Sequence, residues 1–303
     1  MYNFIIIFVF LAIGLLLQNV KRFPTSIYKV LNKIVIYLCL LALALYYIQK
    51  IKLGTHLLYP VGVTWISFIV SILFFGFLGK KFGWSKKLTG CLILTAGFGN
   101  TSFLGFPIIQ ALYGEEGLKT AILVDQPGTF VALSTLGVVV ATLYSTASTT
   151  SFEIFRKIIF FPPFIAFLLA CYLNLFQYVF YPKIEFVLVK VGSVMTPLAM
   201  LSVGLQLHFD KKSKHWKFLR LGLFFKLILI PALIYFLCVV VFDQHSKMNE
   251  VSIMEAAMAP MISASIVAAA HGLKPKLCSM MIGFGIPISF VTLVFWYWMV
   301  SFI

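Results

Sequence analysis

Between Gly99 and Pro107 the chain reads GNTSFLGFP, an amide, two hydroxyls, two glycines and a proline inside an otherwise apolar stretch. Asn100, Thr101 and Ser102 can present donors to a carboxylate or, through their oxygens, acceptors to a small cation; the same groups would also cap a broken helix. Gly105 and Pro107 weaken the helix around them, because glycine admits close backbone approach and proline removes an amide donor and crowds the preceding turn. Further along, Asp125 and Gln126 precede Pro127 and Gly128, Lys226 interrupts an apolar run, and Glu255 precedes Pro260 and Ser263. Ionisable residues at membrane depth are functional candidates, although Asp125, Lys226 and Glu255 would also serve structure alone by neutralising one another. The histidines do not pair at metal-ligand spacing, and Cys39, Cys91, Cys171, Cys238 and Cys278 fall singly in apolar runs, so they read as packing residues and no metal site is expected.

These residues must be held by membrane spans. With 61% hydrophobic and 11% charged residues and a mean hydropathy of +1.02, the chain has too little polar surface for a soluble globule of 303 residues. Apolar runs long enough to cross about 30 Å of hydrocarbon lie near residues 4–20, 31–49, 59–79, 88–112, 119–143, 158–180, 186–209, 217–242, 250–271 and 277–302, which predicts ten spans. The first lacks a preceding basic region and a following cleavage site, so it reads as a retained span. Lipid offers no partner to a freed amide or carbonyl, so a break in such a span survives only when buried in protein or lining a wet cavity.

The formal charge of +15 does not indicate nucleic acid, because the basic residues are scattered over loops instead of forming one stripe. They concentrate after odd-numbered spans: Lys21, Arg22, Lys29 and Lys33; Lys80, Lys81, Lys86 and Lys87; Arg156 and Lys157; Lys211, Lys212, Lys214, Lys217 and Arg220; Lys274 and Lys276. The bias predicts a multi-pass protein of the cell membrane, plasma or inner, with both termini on the non-cytoplasmic side. Trp296, Tyr297 and Trp298 read as an interfacial aromatic belt.

A shift of 158 residues superposes Ala111 to Leu123 on Ala269 to Met281, aligning Gly114 with Gly272. It sets Ser102 against Pro260, Pro107 against Ser265 and Asn100 against Met258. Five spans in each half is an odd number, so the second copy, residues 152–303, must enter the membrane in the opposite sense to the first, residues 1–145. Breaks in spans 4 and 9 would then meet as a crossed pair, their half-helix amino ends favouring an anion.

Together, GFGNTSFLGFPIIQALYGEEGL (Gly97 to Leu118), TPLAMLSVGL (Thr196 to Leu205), EAAMAP (Glu255 to Pro260) and HGLKP (His271 to Pro275) resemble the auxin efflux carrier family, which includes plant auxin exporters and bacterial malate and malonate permeases. The resemblance implies an all-α five-plus-five inverted repeat like that of sodium/proton antiporters and bile-acid symporters, with spans 4 and 9 crossing. It also implies a dimerising scaffold, residues 1–50 and 152–212, and a moving transport domain, residues 51–145 and 213–303. The chain departs from the family where Leu40, Leu41 and Ala42 replace a frequent proline in span 2, and where Met258 stands symmetric to Asn100.

The expected function is therefore secondary transport of a small organic anion, a mono- or dicarboxylate, by alternating access of the elevator kind, with a homodimer in the bilayer as the working unit. Asn100, Thr101, Ser102, Gly105, Pro107, Pro260 and Ser263 are the substrate-binding candidates, and Asp125, Gln126, Lys226 and Glu255 the coupling or charge-pair candidates. No cofactor is expected, and sodium coupling, proton coupling and uncoupled transport are all compatible with these residues. An uncoupled anion channel or a ligand sensor would use the same features. An enzyme is not expected, since there is no HExxH motif, no P-loop and no second intramembrane aspartate beside Asp125.

Overall fold

The computed structural model describes residues 2–20, 23–24, 26–52, 54–145, 162–207, 214–243 and 245–302. Lys21, Arg22, Arg156, Lys157, Lys211, Lys212 and residue 152, the predicted start of the second repeat, lie outside the described residues. The helices are α1 (Tyr2–Leu17), α2 (Ile27–Ile48), α3 (Thr55–Lys81), α4 (Lys86–Gly97), α5 (Thr101–Leu143), α6 (Pro162–Leu175), α7 (Pro182–Gln206), α8 (Trp216–Val241), α9 (Lys247–Ala256), α10 (Ile262–Ala270) and α11 (Pro275–Val300). Six of them, α2, α3, α5, α7, α8 and α11, are long and apolar enough to cross a bilayer, and α1 and α6 are shorter apolar helices. The chain is an all-helical polytopic membrane protein, with no extended strand among the described residues.

At about 1.5 Å per residue, the 43 residues of α5 would be twice as long as a bilayer is thick if they ran straight. They do not. Gly114 takes φ 64° and ψ −153°, a backbone region open essentially to glycine, and Thr101 Oγ1 lies 2.6 Å from Asp125 Oδ1. A straight helix would hold those two residues roughly 36 Å apart, so the chain doubles back at Gly114. Gly114→Val is expected to cost about 1–3 kcal/mol, read as a lower melting midpoint of the purified protein. Gly76→Ala, where an added methyl meets nothing within 4 Å, is the matched control and should match or slightly exceed wild type.

The chain divides into two compact units. The first comprises Met1–His56, Ser102–Ile122 and Ile159–Leu207. Within it α1 packs along the second half of α7, where Gly14 and Gly204 let the backbones touch: a Cβ on Gly14 would collide with the Leu201 carbonyl oxygen, and one on Gly204 with that of Leu11. Gln18 Nε2 locks the same contact by donating to the carbonyls of Gly204 (2.6 Å) and Leu207 (3.0 Å). α6 lies against α2, and its Asn174 Nδ2 reaches the carbonyls of Ile48, Gln49 and Ile51, which the end of α2 would leave unpaired.

The second unit comprises Leu57–Thr101, Leu123–Ile158 and His208–Ile303. α3 packs on α4, on residues 124–130 of α5 and on α9, while α10 and α11 pack on each other and on α4. Several of its helices loosen into π-type turns, including Val124–Phe130 around Pro127 and Phe225–Leu229 after Phe224. Proline explains the first, since Pro127 has no amide to donate. At the second, Trp296 Nε1 donates to the Leu227 carbonyl at 2.8 Å. Trp296 is therefore a core residue, 4% exposed, and not part of an interfacial belt; Tyr297 and Trp298 beside it are exposed.

Candidate functional site

The site of interest is where two helix breaks meet inside the second unit. α4 stops at Gly97 because Phe98 turns extended (φ −110°, ψ 136°) and stacks on Phe68, with ring centroids 4.3 Å apart. Ser71 Oγ and Phe68 occupy the space that a side chain at Gly97 would need. In the second break α9 stops at Ala256, and α10 starts at Ile262 after an extended Met261. Gly99 and Pro260 then face each other as an antiparallel pair: Asn100 N donates to Ala259 O at 2.8 Å and Met261 N to Phe98 O at 3.1 Å. Each break thus supplies the partners the other lost. Gly285 of α11 makes room for Pro260, since a Cβ there would sit 2.7 Å from the proline Cδ.

The two residues that the 158-residue shift aligns, Gly114 and Gly272, both take positive φ, 64° and 69°.

Three buried charges surround the crossing. Lys226, 1% exposed, donates from Nζ to Ala256 O at 2.8 Å, placing a positive charge at the carboxyl end of α9, where the helix dipole is negative. A Cβ on Gly99 would lie 3.0 Å from that Nζ, so glycine is what lets the lysine reach. Asp125, 3% exposed, accepts from Thr101 Oγ1 through Oδ1 and from Gln126 Nε2 (2.9 Å) through Oδ2, so a negative charge faces the amino end of α5. A hydroxyl chain continues from Thr101 to Thr129 (3.2 Å) and from Thr129 to Thr64 (2.9 Å). Glu255, 1% exposed, interacts electrostatically with Asp125 and Lys226, yet neither of its carboxylate oxygens has a hydrogen-bond partner.

Asn100, Thr101, Asp125, Gln126, Lys226, Glu255, Pro260 and Ser263 all belong to the second unit, with Ser263 in the first turn of α10. Ser102, Gly105 and Pro107 are buried but group with the first unit. Asn100 Nδ2 is a buried donor with no partner, and Ser265 Oγ is equally orphaned. Thr64 joins the cluster without any signal in the sequence, because a threonine in an apolar span carries no spacing pattern. Cys91 and Cys278, single in their own apolar runs, bring their sulfurs 3.4 Å apart as free thiols, a contact between remote segments that spacing cannot reveal.

Residues 1–297 match the family described as membrane transport protein. An uncharacterized transporter of Methanocaldococcus jannaschii is 29% identical over 285 residues, 89% of each chain. An uncharacterized transporter of Methanothermobacter thermautotrophicus is 28% identical over 221 residues, 72% of this chain and 70% of that protein.

Proposed function

The chain belongs to the auxin efflux carrier family of membrane transport proteins, and from that premise we propose that it carries a small organic anion, a mono- or dicarboxylate, by alternating access, with the anion held at the start of α10. The reading rests on the uneven compensation of the helix ends. Asp125 answers the amino end of α5 and Lys226 the carboxyl end of α9. The amino end of α10 has no side-chain cap, leaving its first amides and partial positive charge available to a negative ligand. The single observation that carries the reading is Asn100 Nδ2, a donor 2% exposed and without a partner, on the strand-like segment hydrogen-bonded to the residue before Pro260. A buried donor with nothing to bond costs about 1–3 kcal/mol, a cost that a bound carboxylate removes. Ser263 and Ser265 add hydroxyls on the first turns of α10.

The working cycle follows the fold class. The ten spans form two inverted five-span repeats with both termini outside. Residues 51–145 and 213–303 move as the transport domain against a scaffold of residues 1–50 and 152–212 that dimerises. The distribution of Lys and Arg, the antiparallel crossing and the paired positive-φ glycines support this arrangement.

A thermal-shift screen of the purified protein against two- to six-carbon mono- and dicarboxylates tests the site. At least one is expected to raise the melting midpoint, because a ligand at about 100 times its Kd stabilises the folded state by roughly 2.7 kcal/mol. Asn100→Ala should abolish that rise and Cys91→Ala should keep it; the reverse would move the anion elsewhere. Counterflow of the same carboxylate in liposomes is expected of a carrier, and its absence alongside flux would indicate a pore.

A further inference from the structure

Orphaned donors and orphaned acceptors at the crossing call for opposite ligands. Asn100 Nδ2 needs an acceptor. Glu255 Oε1 and Oε2, on a residue 1% exposed, need a positive partner, and Gln126 Oε1, on a residue 2% exposed, needs a donor. We propose that Glu255 holds one monovalent cation, a proton or a sodium ion, within the buried cluster of Glu255, Asp125 and Lys226. Its role as a coupling ion rests on the carrier reading; its existence does not.

The charge count and the donor chemistry both lead there. The charged groups acting on Glu255 are Asp125 from α5 and Lys226 from α8. The other helices packed on α9, namely α3 and α11, have their lysines only in their terminal turns. Two carboxylates therefore face one ammonium, and the ammonium is directed at Ala256 O, not at either acid. Asp125 accepts hydrogen bonds from Thr101 and Gln126, which leaves Glu255 as the carboxylate without a hydrogen bond. Removing a carboxylate from water without a partner is strongly unfavourable, so the orphaned oxygens call for one positive charge. A divalent ion would overcompensate, and a carboxylate suits a hard monovalent cation.

The experiment uses the full-length protein in detergent with no carboxylate present, so that its outcome is independent of the anion screen. The melting midpoint is followed while sodium chloride replaces choline chloride at constant ionic strength, and separately in sodium-free buffer from about pH 5 to 8. A sodium site raises the midpoint by roughly 3–5 °C as sodium climbs from about 1 to 100 mM. A proton site instead lowers it by a similar amount as pH rises, since the ligand becomes scarce. Glu255→Gln should flatten whichever response wild type gives, and Glu250→Gln, one turn into α9, should preserve it. A wild type indifferent to both, or a response that survives in Glu255→Gln, overturns the proposal. If Glu255→Gln does not fold, labelling of wild type by dicyclohexylcarbodiimide, mapped by mass spectrometry, decides: modification of Glu255 that falls with sodium or with rising pH supports the site, and no modification, or modification insensitive to both, overturns it.

Discussion

Lys226→Met is expected to lower the melting midpoint of the purified protein by at least about 5 °C and to abolish transport. Methionine matches the aliphatic stem but brings no charge and no donor. The Ala256 carbonyl loses its partner, the carboxyl end of α9 loses its counter-charge, and Asp125 and Glu255 are left as like charges in a buried cluster. Removing one partner from a set of buried charges costs on the order of 3–5 kcal/mol, far above a surface ion pair. The same reasoning forecasts the rescue: in Lys226→Met with Glu255→Gln a positive and a negative charge leave together, and the double variant should recover part of the loss. If the two effects merely add, Lys226 is not compensating Glu255, and its role reduces to capping α9.

The second large effect belongs to the first unit. Gly204→Leu should prevent accumulation of folded protein, and Gly204→Ala should lower the midpoint clearly. α1 and α7 touch through backbone at Gly14 and Gly204, and the atoms that an added Cβ would meet are a carbonyl oxygen and a Cα, which cannot rotate aside. Overpacking of this kind costs about 1–3 kcal/mol even when side chains can adjust, and in a membrane such small-residue contacts supply much of helix association. The shift would also pull Gln18 from the Gly204 and Leu207 carbonyls. Gly62→Ala, whose added methyl would only graze the Ile66 Cδ1 at 3.9 Å, provides the comparison. Equal behaviour of Gly204→Ala and Gly62→Ala would show that the two helices separate without cost.

Much of this was legible along the chain. Composition alone compels membrane spans, because 11% charged residues cannot clothe a protein of this length. The GNTSFLGFP segment announces a break by local chemistry, since glycine and proline act on their own turn, and Asp125, Lys226 and Glu255 stand out as charges that lipid does not tolerate unaided. Tertiary structure alone decided which residues meet. The pairing of Gly99 with Pro260, the approach of Cys91 to Cys278 and the burial of Trp296 join segments more than 60 residues apart. Each depends on how far two helices slide past one another, a quantity set by the summed packing of many side chains and by none of them singly. For the same reason the sequence could name three ionisable candidates but not divide their work. Whether a buried carboxylate is answered by a hydroxyl, as Asp125 is by Thr101, or left bare, as Glu255 is, follows from distances of a few ångströms that only the folded chain defines.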